Sequence, residues 1–464
     1  MEEVLHVIDG AIESYNKYVG GYLLLLILVP AGIFFAFRFN FLHVRYFRHA
    51  LGVITGKYDR KEDKGDINHF RALTTALSAT VGTGNVVGVA LAIYYGGPGA
   101  IFWMWITGFF GMMTKFVECT LSQKFRGVHE DGTIAGGPMY YMEYGLKEKL
   151  GRFAKVLAMI FAVATILCSL GTGNMAQSNS MSDILKESYN LQTWISGAII
   201  AALVLLVIIG GIKRIARVTS KLVPFMAIAY FLSAFIILGV FYYAIPEAFA
   251  LIVTDAFTGT AAKGGFLGSA FIITLRYGVS RGLFSNEAGQ GSAAIAHSAA
   301  KTTYPVREGL VASLGPFIDT ILVCTITAMV IIVTGAWTSG EEGIAMTVTG
   351  FTEGLSAINA GYLAKHIVAG SLLLFAFSTM ISWSYYGSQA TAYVFGWKHV
   401  TLFRIIFGVF VFLGALGKIG IVWNFVDMVI TFMTIPNLIA LLLLTPIVAK
   451  EVKSYFKEYP KFER

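Results

Sequence analysis

The sequence predicts an all-α polytopic membrane protein of eleven transmembrane helices, and three observations predict it. The first is composition. Of the 464 residues, 56% come from the apolar set AVILMFWYC and 13% are charged, against about 45–50% and 25% for a soluble domain. The second is the recurrence of uncharged stretches of about 20 residues, the length that crosses ~30 Å of hydrocarbon at 1.5 Å per residue. The third is a pair of spans interrupted by glycine near mid-depth, five helices apart. With so little charge, too little polar surface remains to cover a globule in water. Disorder, a disulfide scaffold and an ordinary water-soluble enzyme are excluded.

Read between charges, the first span runs over 18–37. The uncharged stretch 72–114 holds two spans, divided at Gly96-Gly97-Pro98-Gly99, a sequence unsuited to a helix interior. Spans follow at 156–182, 188–212, 222–246, 266–290, 309–337, 366–397, 401–417 and 419–449. Of the 35 Lys and Arg, 26 fall in alternate connections (38–71, 124–155, 213–221, 301–307, 398 and 450–464), five in the others and four within spans. The positive-inside rule then places the N-terminus outside and the C-terminus in the cytoplasm of a cell-membrane protein. The net charge of +8 is therefore topological, and the expected surroundings are the lipid bilayer and not nucleic acid. The acidic start, Met1-Glu2-Glu3, argues against a cleavable signal peptide. Cys119, Cys168 and Cys324 lie singly in apolar runs and read as buried small hydrophobes.

Two spans are written differently. Gly82-Thr83-Gly84-Asn85 sits at the centre of one, and Thr274 to Gly282, centred on Gly278, at the centre of another. Four ordinary spans separate them and four follow. The chain thus divides into a lone helix with a basic linker (1–69), a five-helix unit (70–246), a second five-helix unit of opposite orientation (247–450) and a tail (451–464). Inverted five-helix units led by broken helices point to a transporter with its site at the midplane. Unwound backbone in lipid leaves groups unpaired at several kcal/mol each, unless a cavity, ion or substrate satisfies them. The alternative, that the glycines only permit close helix crossing, is weakened by finding two such sites in corresponding positions.

Polar residues at the same depth add candidates. Cys168 to Gln177 repeats the Gly-Thr-Gly-Asn string, with Asn174 and Gln177 on one face. Ser378 and Thr379 lie at the centre of a long span. Their hydroxyls, facing freed carbonyls at Ser78 and Val81, would suit Na⁺, a hard cation that prefers oxygen. Arg276 is the most expensive charge in the chain; it would bind a substrate carboxylate or pair with an acid, Asp319 or Asp427. Asp427 reads equally as a gate residue or a snorkelling carboxylate. Lys115 and Glu118, i and i+3, read as a structural ion pair. Asn286, Glu287 and Arg281 read as an inner gate network, and Trp383, with Phe271 and Met175, as bulk that closes the pocket.

These residues are recognisable. The run Gly96-Gly97-Pro98-Gly99-Ala100-Ile101-Phe102-Trp103-Met104-Trp105-Ile106-Thr107-Gly108-Phe109-Phe110-Gly111 resembles the signature of the alanine/glycine:cation symporter family. The 76–88 string, Gly136-Gly137-Pro138-Met139-Tyr140-Tyr141 and Ser285-Asn286-Glu287-Ala288-Gly289-Gln290-Gly291 match it too. The resemblance covers essentially the whole chain. It implies a LeuT fold preceded by one extra helix, and Na⁺-coupled uptake of alanine and glycine, in L and D forms, without an organic cofactor and without enzymatic chemistry. It implies substrate contacts from Ala79, Thr80, Gly82, Thr83 and Gly84, from Ile273, Thr274, Arg276 and Gly278, and from Cys168, Thr172 and Gln177. It implies a Na⁺ site at Ser78, Val81, Ser378 and Thr379. Gly88 stands where many carriers of this fold keep an outer-gate arginine, which leaves Asp427 without that partner.

Other classes fit less well. A channel would show charged rings or a symmetric filter, and the eight scattered His offer no metal spacing. A proton-coupled carrier using Asp319 is the serious alternative. A monomer suffices for this architecture.

Overall fold

The computed structural model describes residues 10, 12, 14–16, 18, 21–258, 267–417 and 420–458. Among these the structure is helical apart from one two-strand hairpin, β1 (Gly127–Val128) paired antiparallel with β2 (Ile134–Ala135). The principal helices are α1 (Gly21–Arg38), α2 (His69–Thr80), α3 (Val89–Gly96), α4 (Ala100–Lys124), α5 (Arg152–Leu170), α6 (Ala176–Tyr189), α7 (Thr193–Ile208) and α8 (Gly211–Val240). They continue with α9 (Leu267–Asn286), α10 (Ser292–Ser298), α11 (Pro305–Pro316), α12 (Thr325–Val333), α13 (Ala364–Phe395), α14 (Val400–Leu416) and α15 (Gly420–Glu458). By length and composition seven helices among the described residues can cross a membrane, and an eighth crossing is the bent pair His69–Thr80 and Gly84–Gly96. Two shorter apolar helices, Leu24–Arg38 and Thr193–Ile208, lie beside them.

The first break falls where glycine was read as interrupting a span. Asn68 caps α2, its side chain accepting from the Arg71 amide at 2.9 Å. At the other end Val81 leaves the helical path (ψ 90), and the axis turns by 57° before the chain resumes in a wide π-type turn, Gly84–Gly88. The repeated Gly-Thr-Gly-Asn string produces a second wide turn, Gly171–Met175, between α5 and α6, and a third covers Phe317–Cys324 after Pro316. Such turns depart from i→i−4 bonding and gather at functional sites.

The second break lies elsewhere than expected. Helix α9 runs unbroken through Gly278 to Asn286. The chain comes apart at 287–291, where Glu287, Gly289 and Gly291 have φ of +53°, +92° and +81°, and α10 follows. Gly278 serves helix crossing instead: a Cβ there would stand 2.3 Å from the Ala100 carbonyl oxygen and 2.6 Å from the Trp103 Cβ. Loops 59–68 and 125–135 and the segment 298–304, which carry Arg60, Lys61, Lys64, Arg126 and Lys301, meet at one end of the bundle. There Asp66 and Lys301 donate backbone bonds to Ala299 and Ile67.

Candidate functional site

Both breaks open on one cavity of ≈ 20 Å³, enough for about one water. The first broken helix lines it with Ala79, Thr80, Gly82, Thr83 and Gly84, and the wide turn with α6 supplies Thr172 and Gln177. Thr379 and Trp383 come from α13, Phe284 from the end of α9, Glu287 and Gln290 from the second break, and Ile430 from α15. Four half-helix ends converge here, so peptide N–H and C=O groups free of intrahelical partners face a common space. Among the described residues of its wall, two side-chain atoms are buried without a hydrogen-bond partner, Thr172 Oγ1 and Gln177 Oε1. A buried unmet acceptor costs about 1–3 kcal/mol, which a ligand of the right chemistry recovers. The Gln177 Nε2 donates to the Thr172 carbonyl (3.1 Å) and to Thr83 Oγ1 (3.5 Å), which leaves Oε1 toward Gly82. Asn174 turns away and donates to the Phe407 carbonyl at 2.8 Å.

Among the described residues Glu287 is the one acid on the cavity wall. It is 7% exposed and accepts a 2.5 Å bond from the Ser292 hydroxyl at the start of α10. Trp383 lines the cavity and packs against Gly173, where a Cβ would lie 2.3 Å from the indole Cγ. Phe284 packs on Gly84 in the same way, at 3.2 Å from such a Cβ.

Beside the cavity, α2 and α13 are joined through oxygens. The Ser78 hydroxyl donates to the Ser378 carbonyl (2.6 Å), Ser378 and Thr379 hydroxyls approach the Ser78 carbonyl (3.2 Å each), and the Ser382 hydroxyl donates to Ser78 Oγ (2.8 Å). Ser78, Ser378 and Thr379 therefore meet as expected, with Val81 at the adjoining helix end, and Ser382 is an additional oxygen. On the far side of the first break, Asn85 caps the unwound segment. Its Oδ1 accepts from the Gly82 amide (3.0 Å), and its Nδ2 donates to Asp319 Oδ1 at 2.8 Å. Ser285 and Thr320 hydroxyls also donate to the fully buried Asp319 carboxylate. One acid thus links both broken helices to the wide turn after α11.

Several expected site residues lie outside the cavity wall. Thr274 donates to the Gly96 carbonyl at 2.7 Å, Ile273 is 38% exposed, Gly278 packs on α4 and Cys168 is in the core. Arg276 lies over the Tyr22 ring of α1 at 5.0 Å and the Tyr277 ring at 5.9 Å, and no ion pair within 4 Å reaches it among the described residues. A guanidinium at an aromatic face is stabilised without a carboxylate. The Asn286–Glu287–Arg281 network does not form: Asn286 bonds Thr320 and the Ala288 amide, while Glu287 bonds Ser292. Lys115 and Glu118 form no ion pair within 4 Å among the described residues; Glu118 accepts from Asn437 and the Gly291 amide instead. The side chain of Asp427 lies outside the described residues. Phe284, Gln290 and Ile430 were not anticipated. Gln290 was legible within the 285–291 string, whereas an isoleucine in an apolar span carries no signal.

Comparison with known proteins agrees with this architecture. The chain is similar to the sodium/alanine symporter AgcS of Methanococcus maripaludis, 42% identical over 448 residues, covering 96% of each chain. It resembles the structure of MhsT in complex with L-phenylalanine (TM-score 0.59, 16% identity, 82% of this chain and 89% of that one). It also resembles the substrate-bound outward-open structure of a Na⁺-coupled sialic acid symporter (TM-score 0.53, 12% identity, 93% and 97% covered). These likenesses give the LeuT fold. The sodium:alanine symporter family matches residues 5–463, and the chain belongs to that family of membrane transporters.

Proposed function

We propose that the protein carries small amino acids, alanine and glycine in L and D forms, into the cell together with Na⁺ by alternating access. The observation that carries this reading is the cavity between two broken helices, with unmet acceptors at Thr172 and Gln177 and one acid at Glu287. A zwitterion's carboxylate suits the amides that follow Gly82 at the first break, and its ammonium suits Glu287 and the two acceptors. Na⁺ sits among Ser78, Val81, Ser378 and Thr379. The Ser378 and Thr379 hydroxyls each have a second acceptor in the Phe375 carbonyl (2.9 and 3.1 Å). Donating there turns their lone pairs to a cation held by the Ser78 carbonyl. Filling this site stiffens the end of α2, so ion and amino acid raise each other's affinity. An inside-negative potential adds ~2.3 kcal/mol per charge per 100 mV. In this reading the chain has eleven spans: one leading helix with its linker (1–69), inverted units at 70–246 and 247–450, and a cytoplasmic tail (451–464), with the N-terminus outside.

The reading is tested by alanine uptake into proteoliposomes under a Na⁺ gradient without a pH gradient, and the reverse. Uptake is expected only with Na⁺. Uptake that follows pH alone supports a second reading, in which Asp319, central to the Asn85–Ser285 network, carries a proton. Pocket size supplies a further check. Trp383→Ala is expected to admit larger side chains, with leucine or glutamine competing about tenfold better against labelled alanine, a small-pocket discrimination of ~1–3 kcal/mol. Unchanged competition would show that Trp383 does not set the size limit.

A further inference from the structure

Three buried side chains at the basic end of the molecule belong to neither cavity nor ion site. Glu308, fully buried in the first turn of α11, accepts from two imidazoles at once. One oxygen takes the His297 Nδ1–H at 2.5 Å, from α10, and the other takes the His69 Nδ1–H, from the first residue of α2. Both histidines are 1% exposed. His69 Nε2 has no hydrogen-bond partner and lies 3.6 Å from Asp59 Oδ1 in the basic loop. Both α2 and α10 are short, and each ends at one of the two breaks, at 81–83 and 287–291. A buried carboxylate costs several kcal/mol to desolvate, and it persists where charge-assisted bonds meet both oxygens. Packing alone would not call for it.

We propose that Glu308 is a positioning residue that yokes the inner halves of the two broken helices, so that both hinges move together during transport. Its position fits this role. The chain after α10 is fastened to α4, where Gln123 donates to the His297 carbonyl at 2.5 Å and Arg126 donates to the Ser298, Ala300 and Thr302 carbonyls at 2.6–2.8 Å. Through His69 and the backbone ladder at 66–67, α2 joins the same block. A half-helix freed from it would turn about its own break and leave the cavity's two walls out of register. The inference rests on the symport reading for its consequence, but the yoke itself is read without substrate.

Hydrogen–deuterium exchange in lipid nanodiscs tests it. In Glu308→Ala, exchange is expected to rise about tenfold or more in 69–80 and 292–298 only, the scale of a lost charge-assisted bond. His69→Ala should loosen 69–80 and spare 292–298, and His297→Ala the reverse; these variants also serve if Glu308→Ala fails to fold. In proteoliposomes Glu308→Ala should lower the maximal rate about tenfold with KM for alanine within twofold, and Glu308→Gln, which keeps two polar ends for the imidazoles, should recover most of it. Exchange that rises evenly across all spans, or does not rise, overturns the yoke. Local loosening with unchanged transport rate overturns its part in transport and leaves the symport reading standing, whereas loss of Na⁺-driven uptake in the parent protein overturns that reading alone.

Discussion

Glu287→Gln is expected to lower alanine uptake by about 30-fold or more while the protein folds and inserts normally. Among the described residues this carboxyl is the single ionisable group on the cavity wall, and removing one partner of a buried charge pair costs ~2–5 kcal/mol. The loss should appear mainly in KM, because the ammonium is paired in the bound state as well as during translocation. Local structure should survive, since a glutamine oxygen still accepts from Ser292, whose bond holds the start of α10. Folding is checked by monodispersity and thermal melting in detergent. Uptake within threefold of the parent would remove Glu287 from the ammonium site.

Ser378→Ala combined with Thr379→Val is expected to raise the Na⁺ concentration for half-maximal uptake by about tenfold to a hundredfold. Because backbone oxygens still hold the ion, the pair together is set at the worth of one hydrogen bond to a charged group, ~1.5–3 kcal/mol. Reciprocal coupling then weakens alanine binding at fixed Na⁺ and restores it at saturating Na⁺. The substitutions conserve helical packing, because both hydroxyls already bond within their own helix to the Phe375 carbonyl. Na⁺ titration of alanine binding by scintillation proximity gives the value. An unchanged Na⁺ dependence would move the ion elsewhere, with the Asn85–Asp319 network the next place to look.

Much of the fold was legible because membrane insertion writes itself into local sequence: apolar length, basic loops and glycine at mid-depth. The first break was legible for a related reason. Two glycines flank Thr83, and Asn85 follows to satisfy an amide that the unwound turn exposes. The second break was read at Gly278 but lies at 287–291. A glycine that unwinds a helix and one that lets another helix approach look alike in sequence. The difference rests with Ala100 and Trp103, distant in the chain. The placement of Arg276 off the cavity wall was hidden in the same way, because the Tyr22 ring it lies over belongs to α1. Ser378 and Thr379, singled out by their place at the centre of a long span, both reach the Ser78 carbonyl of α2. Ser382 meets the same Ser78 one turn on, which only the crossing of α2 with α13 decides.

The wide turn Gly171–Met175 has a consequence for everything after it in α6. A π turn amounts to one residue slipped into an α-helix, and each residue advances the spiral by about 100°. The extra residue rephases the following stretch. Gln177 is carried round to the cavity, while Asn174, within the turn, is left to bond Phe407. Were the same residues wound as a regular α-helix, Gln177 would stand about 100° round the axis from the cavity, with no side chain altered.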